Sequence, residues 1–185
     1  MTETTETNDA PPPEIRPEKK RGFARRHWKG LLLSTILAMH PGMRGIFFDQ
    51  PRTIERASDL LASTGVADRC QIEGGDFFES VPSGADVYLL KNIIHDWDDV
   101  QAIAILERCR AAMADASKLL IAEQVVQAGN GPDFTKFIDV VMLVMNGGRQ
   151  RTINEYHRIL AAAGLRLSNV ISTGGSHSLV EAVRV

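Results

Sequence analysis

The segment "KNIIHDWDD", residues 91–99, places His95 directly after an apolar stretch and follows it with three aspartates. An imidazole titrates near neutral pH, so a histidine at such a position can accept a proton from a substrate at working pH. The alternative is a structural histidine whose ring nitrogens are satisfied by hydrogen bonds. His95 is therefore the first candidate for a catalytic base.

Acidic residues also follow two other apolar stretches. Asp49 ends "GIFFD", and Asp76 with Phe77 follows "CQIEGG". In open α/β sheets ligands bind beyond the carboxyl ends of the strands. Asp49 is suited to bind ribose hydroxyls, Asp76 to accept a hydrogen bond from an adenine amino group, and Phe77 to offer an apolar face. A single acid at a strand end is more often a turn or capping residue, but three polar strand ends on one sheet edge predict a nucleoside site.

The elements that would position these residues alternate along the chain from residue 31. Helices are predicted at 31–40, 51–65, 98–114, 134–145 and 153–163, and strands at 44–49, 69–76, 85–92, 118–126, 165–173 and 178–185. The stretch "ADVYLLKN" is continuously apolar, which is typical of a strand buried on both faces of a parallel sheet. The last two strands are close enough in sequence to form a hairpin. This alternation predicts an α/β fold, a doubly wound sheet with helices on both faces.

The composition divides the chain into a tail, residues 1–29, and one globular domain, residues 30–185. Residues 1–21 hold few apolar side chains, so they are predicted to be disordered. Residues 16–29 are basic, and a solvated tail is a simpler interpretation than a nucleic-acid tether. The net charge of −2 gives no bulk attraction to nucleic acid or to an anionic membrane. Two widely spaced cysteines, no long apolar run and no signal peptide indicate a cytoplasmic protein.

Four segments together resemble a known family: "GIFFDQP", "GVADRCQIEGGDFFESVPSGADVYLLKNIIHDWDD", "LLIAEQVV" and "NGGRQRTINEYHRILAAAGLRL". They look like the C-terminal catalytic domain of the S-adenosylmethionine-dependent O-methyltransferases, which include the caffeate, acetylserotonin and hydroxyneurosporene O-methyltransferases. The resemblance covers residues 30–185, and "GGDFF" followed at this distance by "HDW" is specific. It implies a Rossmann-like class I methyltransferase sheet, S-adenosylmethionine as cofactor, a small hydroxylated aromatic or polyketide-like acceptor, and no metal.

The resemblance assigns the catalytic residues. The histidine of "HDW" is the family's general base, and His95 matches it. Glu123 in "IAEQ" matches an acid that supports this base. Gln150 stands in "GGRQRT" where the family usually has glutamate, so it can orient the imidazole by a hydrogen bond but cannot stabilise its charge. Asp96 either compensates in part for the missing acid or simply caps the helix that follows.

The resemblance also assigns cofactor-binding residues. Asp49 matches the ribose-binding acid, and Asp76 and Phe77 match the adenine contacts. Lys91 matches a lysine that approaches the cofactor, with a solvated lysine at a strand end as the alternative. Gly30 matches the last glycine of a loop that cradles the cofactor.

The acceptor side is less complete. Asp139, Met142 and Asn146 fall on the helix that lines the family's substrate pocket, although a methionine there is also typical of plain core packing. The family is homodimeric, and an N-terminal helical domain forms its dimer and closes the pocket. That domain is expected to be missing here, and the sequence does not identify the acceptor.

The beginning of the chain departs from the family. There the family has an apolar strand and a "GGG-x-G" loop, whose glycines let backbone N–H groups approach the cofactor. Counting back from Pro41, the other glycines fall on Arg26, His27 and Trp28, and the strand falls on "GFAR". The central first strand is therefore expected to be degraded or missing, through truncation or a change of reading frame.

Two classes of function stay open. The first is an O-methyltransferase whose activity is impaired by the truncation. The second is a non-catalytic remnant that binds a nucleoside weakly or pairs with a full-length relative. A weaker third possibility makes the basic arm a nucleic-acid tether, although neither nucleic acid nor a membrane is expected as a partner.

Overall fold

The computed structural model describes residues 28–185, with the side chains of residues 28, 29, 55–57 and 60 left aside. The predicted disordered tail and the "GFAR" stretch lie outside the described residues, apart from the last two residues of the tail. Within the described range, the order of helices and strands follows the sequence prediction.

The structure contains five α-helices and six β-strands within this range. The helices are α1 (Trp28–Met39), α2 (Pro51–Ser63), α3 (Asp99–Ala112), α4 (Phe134–Asn146) and α5 (Ile153–Ala162). The strands are β1 (Gly45–Asp49), β2 (Cys70–Gly74), β3 (Val87–Lys91), β4 (Lys118–Glu123), β5 (Leu165–Ser172) and β6 (Ser178–Arg184). Short 3₁₀ turns lie at Ala67–Arg69 and Ile94–Asp96.

The strands form two sheets in the described part of the chain. β1 pairs with β2 in parallel, and the second sheet has the order β3-β4-β6-β5. β3 and β4 are parallel, while β6 runs antiparallel to both β4 and β5, so the predicted C-terminal hairpin is confirmed. Within residues 28–185 no strand pairs with the second edge of β1 or of β3. Among the described residues the strands thus fall into two sheets, and the segment on which the degraded or missing central strand is predicted lies outside them.

Each sheet has its own apolar core. Leu37, Phe47 and Leu61 are buried together where α1 and α2 cover β1 and β2. The larger core joins α3 and α5 to the four-stranded sheet, and Ile105, Leu119, Leu160 and Val180 are among its buried members. In α3 the buried residues fall three or four positions apart, which gives this helix one inward face.

The prediction that β3 is buried on both faces is wrong for the described residues. Val87 is 45% exposed and Leu89 is 39% exposed. A continuous apolar run indicates burial only for a strand that has a neighbouring strand on each side and other elements packed on each face. Here one edge of β3 is unpaired by residues 28–185, and the side chains at alternate positions remain open.

Helix boundaries near the candidate site are set by local polar contacts. Asp98 caps α3 by accepting a hydrogen bond from the Gln101 backbone N–H at 2.8 Å. Thr152 and Glu155 form a reciprocal capping box at the start of α5. None of the described helices is long and apolar enough to cross a membrane.

Candidate active site

The candidate base lies on a short turn that Glu123 holds. His95 is buried, in the 3₁₀ turn that follows β3, and Glu123 ends the neighbouring strand β4. Glu123 Oε1 accepts three backbone N–H groups, from Ile93 at 3.0 Å, Ile94 at 2.7 Å and His95 at 3.2 Å. One carboxylate oxygen thus binds three successive amides, which fixes the backbone that carries the imidazole.

Glu123 is fully buried, and its second oxygen has a strong partner. Tyr156 Oη, on α5, donates to Glu123 Oε2 at 2.6 Å. Burial raises the pKa of Glu123 above its ordinary value, while the hydrogen bonds from Tyr156 and from the backbone oppose that rise. Burial and the adjacent carboxylate raise the pKa of Tyr156 well above its ordinary value, so the phenol remains a donor.

The His95 ring lies between three polar side chains. Gln150 Nε2 is 3.3 Å from His95 Nδ1, and Glu123 Oε2 is 3.8 Å from the same nitrogen. On the opposite side of the ring, Asp96 Oδ1 is 3.4 Å from Nε2. The structure therefore brings together the three residues assigned to catalysis, His95, Glu123 and Gln150, and adds Asp96.

The alternative that Asp96 caps the following helix is wrong, because Asp98 is the N-cap of α3. Asp96 instead accepts a hydrogen bond from Asn146 Nδ2 at 2.9 Å. Asn146 is the last residue of α4, so this contact ties the predicted substrate helix to the His95 turn. Asp139, on the same helix, accepts a hydrogen bond from the Gln150 backbone N–H at 2.7 Å. Met142 lies between them in sequence and is half-buried.

The loop that carries Gln150 packs directly on the turn. His95 O accepts a hydrogen bond from the Arg149 backbone N–H at 2.9 Å. A side chain at Gly148 would collide with the His95 carbonyl oxygen and would lie 2.6 Å from the Asp96 carbonyl carbon. Glycine is therefore required at residue 148 for the loop to approach this closely.

The predicted nucleoside residues meet where β1 and β2 end. The Gly75 backbone N–H donates to Asp49 O at 3.1 Å, which joins the two strand ends. A Cβ at Gly75 would lie 2.6 Å from a carbon of the Phe48 ring, so the close packing depends on this glycine. Asp49 Oδ1 accepts a hydrogen bond from the Gln50 N–H, and Asp76 Oδ1 accepts one from the Phe78 N–H. Each carboxylate therefore also makes a local turn contact.

An open cleft of about 410 Å³ lies beside these two acids. It is lined by Asp76 and Gly75 from one segment and by Gln50, Pro51 and Arg52 from the start of α2, with Glu79 completing the rim. Asp49 immediately precedes this lining. A polar cleft with a carboxylate at its wall can accept hydrogen bonds from amino and hydroxyl groups of a nucleoside.

Phe77 lies in an aromatic cluster that connects the two halves of the site. Its ring centroid is 5.0 Å from that of Phe78 and 6.0 Å from that of Trp97, both edge to face. Phe78 and Trp97 are 4.8 Å apart. Trp97 is two residues from His95, so these rings join the segment that carries Asp76 to the turn that carries the candidate base.

The two remaining cofactor candidates lie in different surroundings. Lys91 ends β3. Burial lowers the pKa of His177, and the charge of Lys91 lowers it further. His177 Nε2 is 2.9 Å from Asn92 Oδ1, and Asn92 itself has a positive φ of 50°. Gly30 is buried in the first turn of α1.

Sequence reasoning missed several residues that form this site. Arg151 and Tyr156 are both fully buried. Arg151 contacts the turn that carries His95, and Tyr156 contacts Glu123, which holds that turn. Arg151 lies between a predicted loop and the "TINE" capping signal, where a charged residue is usually solvent-exposed. An inward-facing position three residues into the amphipathic helix could have indicated Tyr156. In the described part of the chain no group of three or more His, Cys, Asp or Glu side chains is arranged to hold a metal.

Comparison with known sequences identifies the class of protein. The O-methyltransferase domain family matches residues 28–166. The chain therefore belongs to this family, and the resemblance predicted from the sequence is confirmed.

Individual relatives agree with this assignment. The phenazine O-methyltransferase PhzM of Lysobacter antibioticus is 48% identical over 153 residues, which are 83% of this chain and 45% of the relative. The structure of the mitomycin 7-O-methyltransferase MmcR has a TM-score of 0.81 at 39% identity, over 85% of this chain and 46% of the other. NcsB1 of neocarzinostatin biosynthesis, solved with S-adenosylmethionine and 2-hydroxy-5-methyl naphthoic acid, has a TM-score of 0.77 at 33% identity, over 84% and 46% of the two chains. The chain spans about half the length of the relatives it matches.

Proposed function

We propose that this chain is the cofactor-binding and base-carrying part of an S-adenosylmethionine-dependent O-methyltransferase. Its acceptor is a hydroxyl group of a small aromatic or polyketide-like molecule, and its activity in isolation is impaired. The observation that carries this proposal is the buried imidazole of His95, held by Glu123 and Gln150 at the carboxyl end of a parallel strand pair. Family membership adds the reaction class.

The proton path runs through the His95 ring. With its amide in this orientation, Gln150 Nε2 donates to His95 Nδ1, and Gln150 Oε1 is buried without a hydrogen-bond partner among the described residues. Rotating the Gln150 amide by half a turn lets its Oε1 accept a hydrogen bond from His95 Nδ1–H. The other ring nitrogen, His95 Nε2, is then the proton acceptor. We assign Nε2 as the base, since this orientation gives the orphaned oxygen its donor.

The charge that the ring gains is stabilised from both sides. Glu123 lies 3.8 Å from Nδ1 and Asp96 lies 3.4 Å from Nε2. Opposite charges at such distances favour the imidazolium form. Asp96 therefore supplies part of the negative charge that Gln150 cannot, and its hydrogen bond from Asn146 keeps it in place.

The residues at the ends of β1 and β2 fit the nucleoside part of the cofactor. The cleft beside Asp76 is large enough for a nucleobase and presents a carboxylate and backbone groups. When bound, S-adenosylmethionine supplies a methyl group on a positively charged sulfur. Asp49 and Asp76 would bind its adenosine, and His95 would take the proton that the acceptor hydroxyl releases.

The acceptor lies against α4. Phe134, Phe137, Val140 and Val144 leave an apolar surface exposed on this helix, and the family resemblance assigns the helix to the substrate pocket. NcsB1, a relative, carries a naphthoic acid in its solved complex. A planar aromatic acceptor suits such a surface. Asn146 ends this helix and donates to Asp96 in the His95 turn. Both residues lie next to the base and can orient the acceptor hydroxyl.

The alternative function, a non-catalytic domain that binds a nucleoside weakly, is favoured by the divided sheet. In residues 28–185 β1 and β3 each have one edge without a paired strand, and Phe77 packs on Trp97 where the nucleoside half meets the base half. Both functions predict nucleoside binding. They differ in whether His95 lies within reach of an acceptor and whether methyl transfer occurs.

Calorimetric titration with S-adenosylmethionine, S-adenosylhomocysteine and adenosine tests the proposal. We expect weak binding of all three, since the predicted contacts lie mainly at the nucleoside, and Asp49→Ala should abolish it. Asp59→Ala, on the exposed side of α2, removes the same charge and serves as the control. If none of the three ligands binds, the cofactor assignment is wrong. If S-adenosylmethionine binds far more tightly than adenosine, other residues have replaced the glycine loop.

A further inference from the structure

The turn that carries His95 is held at its carbonyl side by a second buried charge. Arg151 is fully buried, and its Nη1 and Nη2 donate to the backbone oxygens of Ile94 at 3.0 Å and Trp97 at 2.9 Å. These two carbonyl groups flank His95 and Asp96 in the chain. The peptide group that joins Ile94 to His95 is held at both ends, because its carbonyl oxygen accepts from Arg151 and its N–H donates to Glu123 Oε1.

The guanidinium of Arg151 uses its complete donor set. Nε and Nη2 donate to Asp99 Oδ1 at 3.0 and 2.8 Å, and Nη1 makes a longer bond to Arg149 O at 3.4 Å. Together with the two turn carbonyl groups, this makes five hydrogen bonds for five N–H donors. The planar fork therefore fixes the relative positions of the His95 turn, the first residue of α3 and the Gln150 loop.

A lysine cannot reproduce this geometry. Its ammonium group is a point charge with three donors on a flexible stem, whereas Arg151 donates five hydrogen bonds to four acceptor atoms, three of them in residues 94–99 and one in its own loop. Burying an unsolvated cation is costly unless it is paired and fully hydrogen-bonded. Arg151 meets both conditions, and four of its five bonds are to acceptors that lie on the turn or in the segment directly after it.

We infer that Arg151, set by its ion pair with Asp99, is a positioning residue for the base: it holds the Ile94–Trp97 turn so that His95 keeps one ring orientation between Gln150 and Asp96. The inference rests on the proposed function for its catalytic consequence, but not for its structural one. Arg151 does not touch the acceptor or the cofactor, and its effect reaches the reaction through the His95 backbone.

The first test reads the His95 ring directly in the full chain. Long-range ¹H–¹⁵N spectra of histidine-labelled protein report the tautomer and the mobility of each imidazole, and His95→Asn identifies the signal. We expect one tautomer for the unmodified chain. Arg151→Lys, which keeps the charge but not the fork, should give an averaged tautomer signal at unchanged helix content by circular dichroism.

The matched control is Arg149→Lys. Arg149 lies in the same loop and reaches the same Asp99 at 3.6 Å, but its guanidinium binds Asp99 and Glu155 rather than turn carbonyl groups. It should leave the His95 signal unchanged. If Arg151→Lys does not fold, Asp99→Asn supplies the test, because Asp99 is 44% exposed and its loss leaves both turn contacts of Arg151 possible. It should shift the signal in the same direction by less.

The second test measures methyl transfer by the same variants joined to the N-terminal helical half of a relative, since little transfer is expected from the chain alone. We expect kcat to fall about 10–100-fold in Arg151→Lys, with the KM for the acceptor within about twofold of that of the joined protein without the substitution. A His95 ring signal that is unchanged in both folded variants overturns the inference. Absence of transfer by the joined protein counts against the proposed function alone, since the ring signal still decides the role of Arg151.

Discussion

The hydrogen bond between Tyr156 and Glu123 should stabilise the fold by an amount that depends on pH. Tyr156 Oη donates to Glu123 Oε2 at 2.6 Å, with both side chains fully buried. A buried hydrogen bond to a charged group contributes about 1.5–3 kcal/mol, against about 0.5–1.5 kcal/mol for a neutral one. Tyr156→Phe keeps the ring, so the loss is mainly that of the bond.

The direction of the pH effect follows from the Tyr156 hydrogen bond, which lowers the pKa of Glu123 against the larger rise that burial causes. Because burial is the largest cause, the folded-state pKa is raised, and the stability linked to that rise is present at low pH and is lost as the pH rises through the folded-state pKa. Removing the Tyr156 hydroxyl raises that pKa further, so Tyr156→Phe should cost about 1.5–3 kcal/mol above the folded-state pKa of Glu123 and about 1 kcal/mol below it, where Glu123 is protonated.

Urea denaturation at one pH below and one pH above the titration of Glu123 measures this difference. Tyr88→Phe is the matched control, because Tyr88 Oη donates at 2.8 Å to a neutral acceptor, Ala112 O, and the pKa of Tyr88 is raised, chiefly by burial. Its cost should be about 0.5–1.5 kcal/mol at both pH values. Equal costs of Tyr156→Phe on the two sides of the titration, or a cost above the titration no larger than that of Tyr88→Phe, would refute the charged bond.

Three further predictions follow from the same geometry. Gly148→Ala should destabilise the chain by about 1–3 kcal/mol, because its Cβ meets the His95 carbonyl group; thermal or urea unfolding checks this, and an unchanged midpoint would show that the loop can move away. Gln150→Glu adds a carboxylate beside His95 Nδ1 and should move the pH midpoint of the ring's ¹⁵N titration upward; a downward or absent shift would place residue 150 elsewhere. Burial and, secondarily, Lys91 lower the pKa of His177, so the stability linked to its neutral ring is present above the ordinary histidine pKa and is lost on acidification through the lower folded-state pKa. The loss on acidification should be below about 1 kcal/mol at this partly exposed site, should disappear in His177→Gln, and should persist in His157→Gln on the exposed face of α5.

The sequence predicted the order of elements because their signals are local. Pro51 begins α2, Asp98 caps α3 and the Thr152–Glu155 box begins α5, and each acts through residues within one turn. It also predicted that polar residues would lie together at strand ends, since parallel strands deliver their carboxyl ends to one edge. His95 follows β3, and Glu123, which was expected from the family resemblance, ends the neighbouring β4, so the two residues meet.

What the sequence did not predict depends on contacts between distant segments. The exposure of Val87 and Leu89 reflects the unpaired edge of β3 among residues 28–185, whereas a continuous apolar run indicates burial only when a neighbour is present. The buried fork of Arg151 joins residues more than fifty positions apart. The hydrogen bond of Asp139 to the Gln150 backbone gives that acid a structural role that the substrate assignment did not include.

The central claim is that His95, held in this turn, removes the acceptor's proton during methyl transfer. The direct measurement is the rate of labelled methyl transfer from S-adenosylmethionine to a panel of phenolic acceptors, with the N-terminal helical half of a relative joined to the chain. The account predicts little transfer by the chain alone, clear transfer by the joined protein, and a loss of about 10²–10⁴-fold in His95→Ala, with His157→Ala unaffected. Equal rates in the joined protein with and without His95 would contradict it.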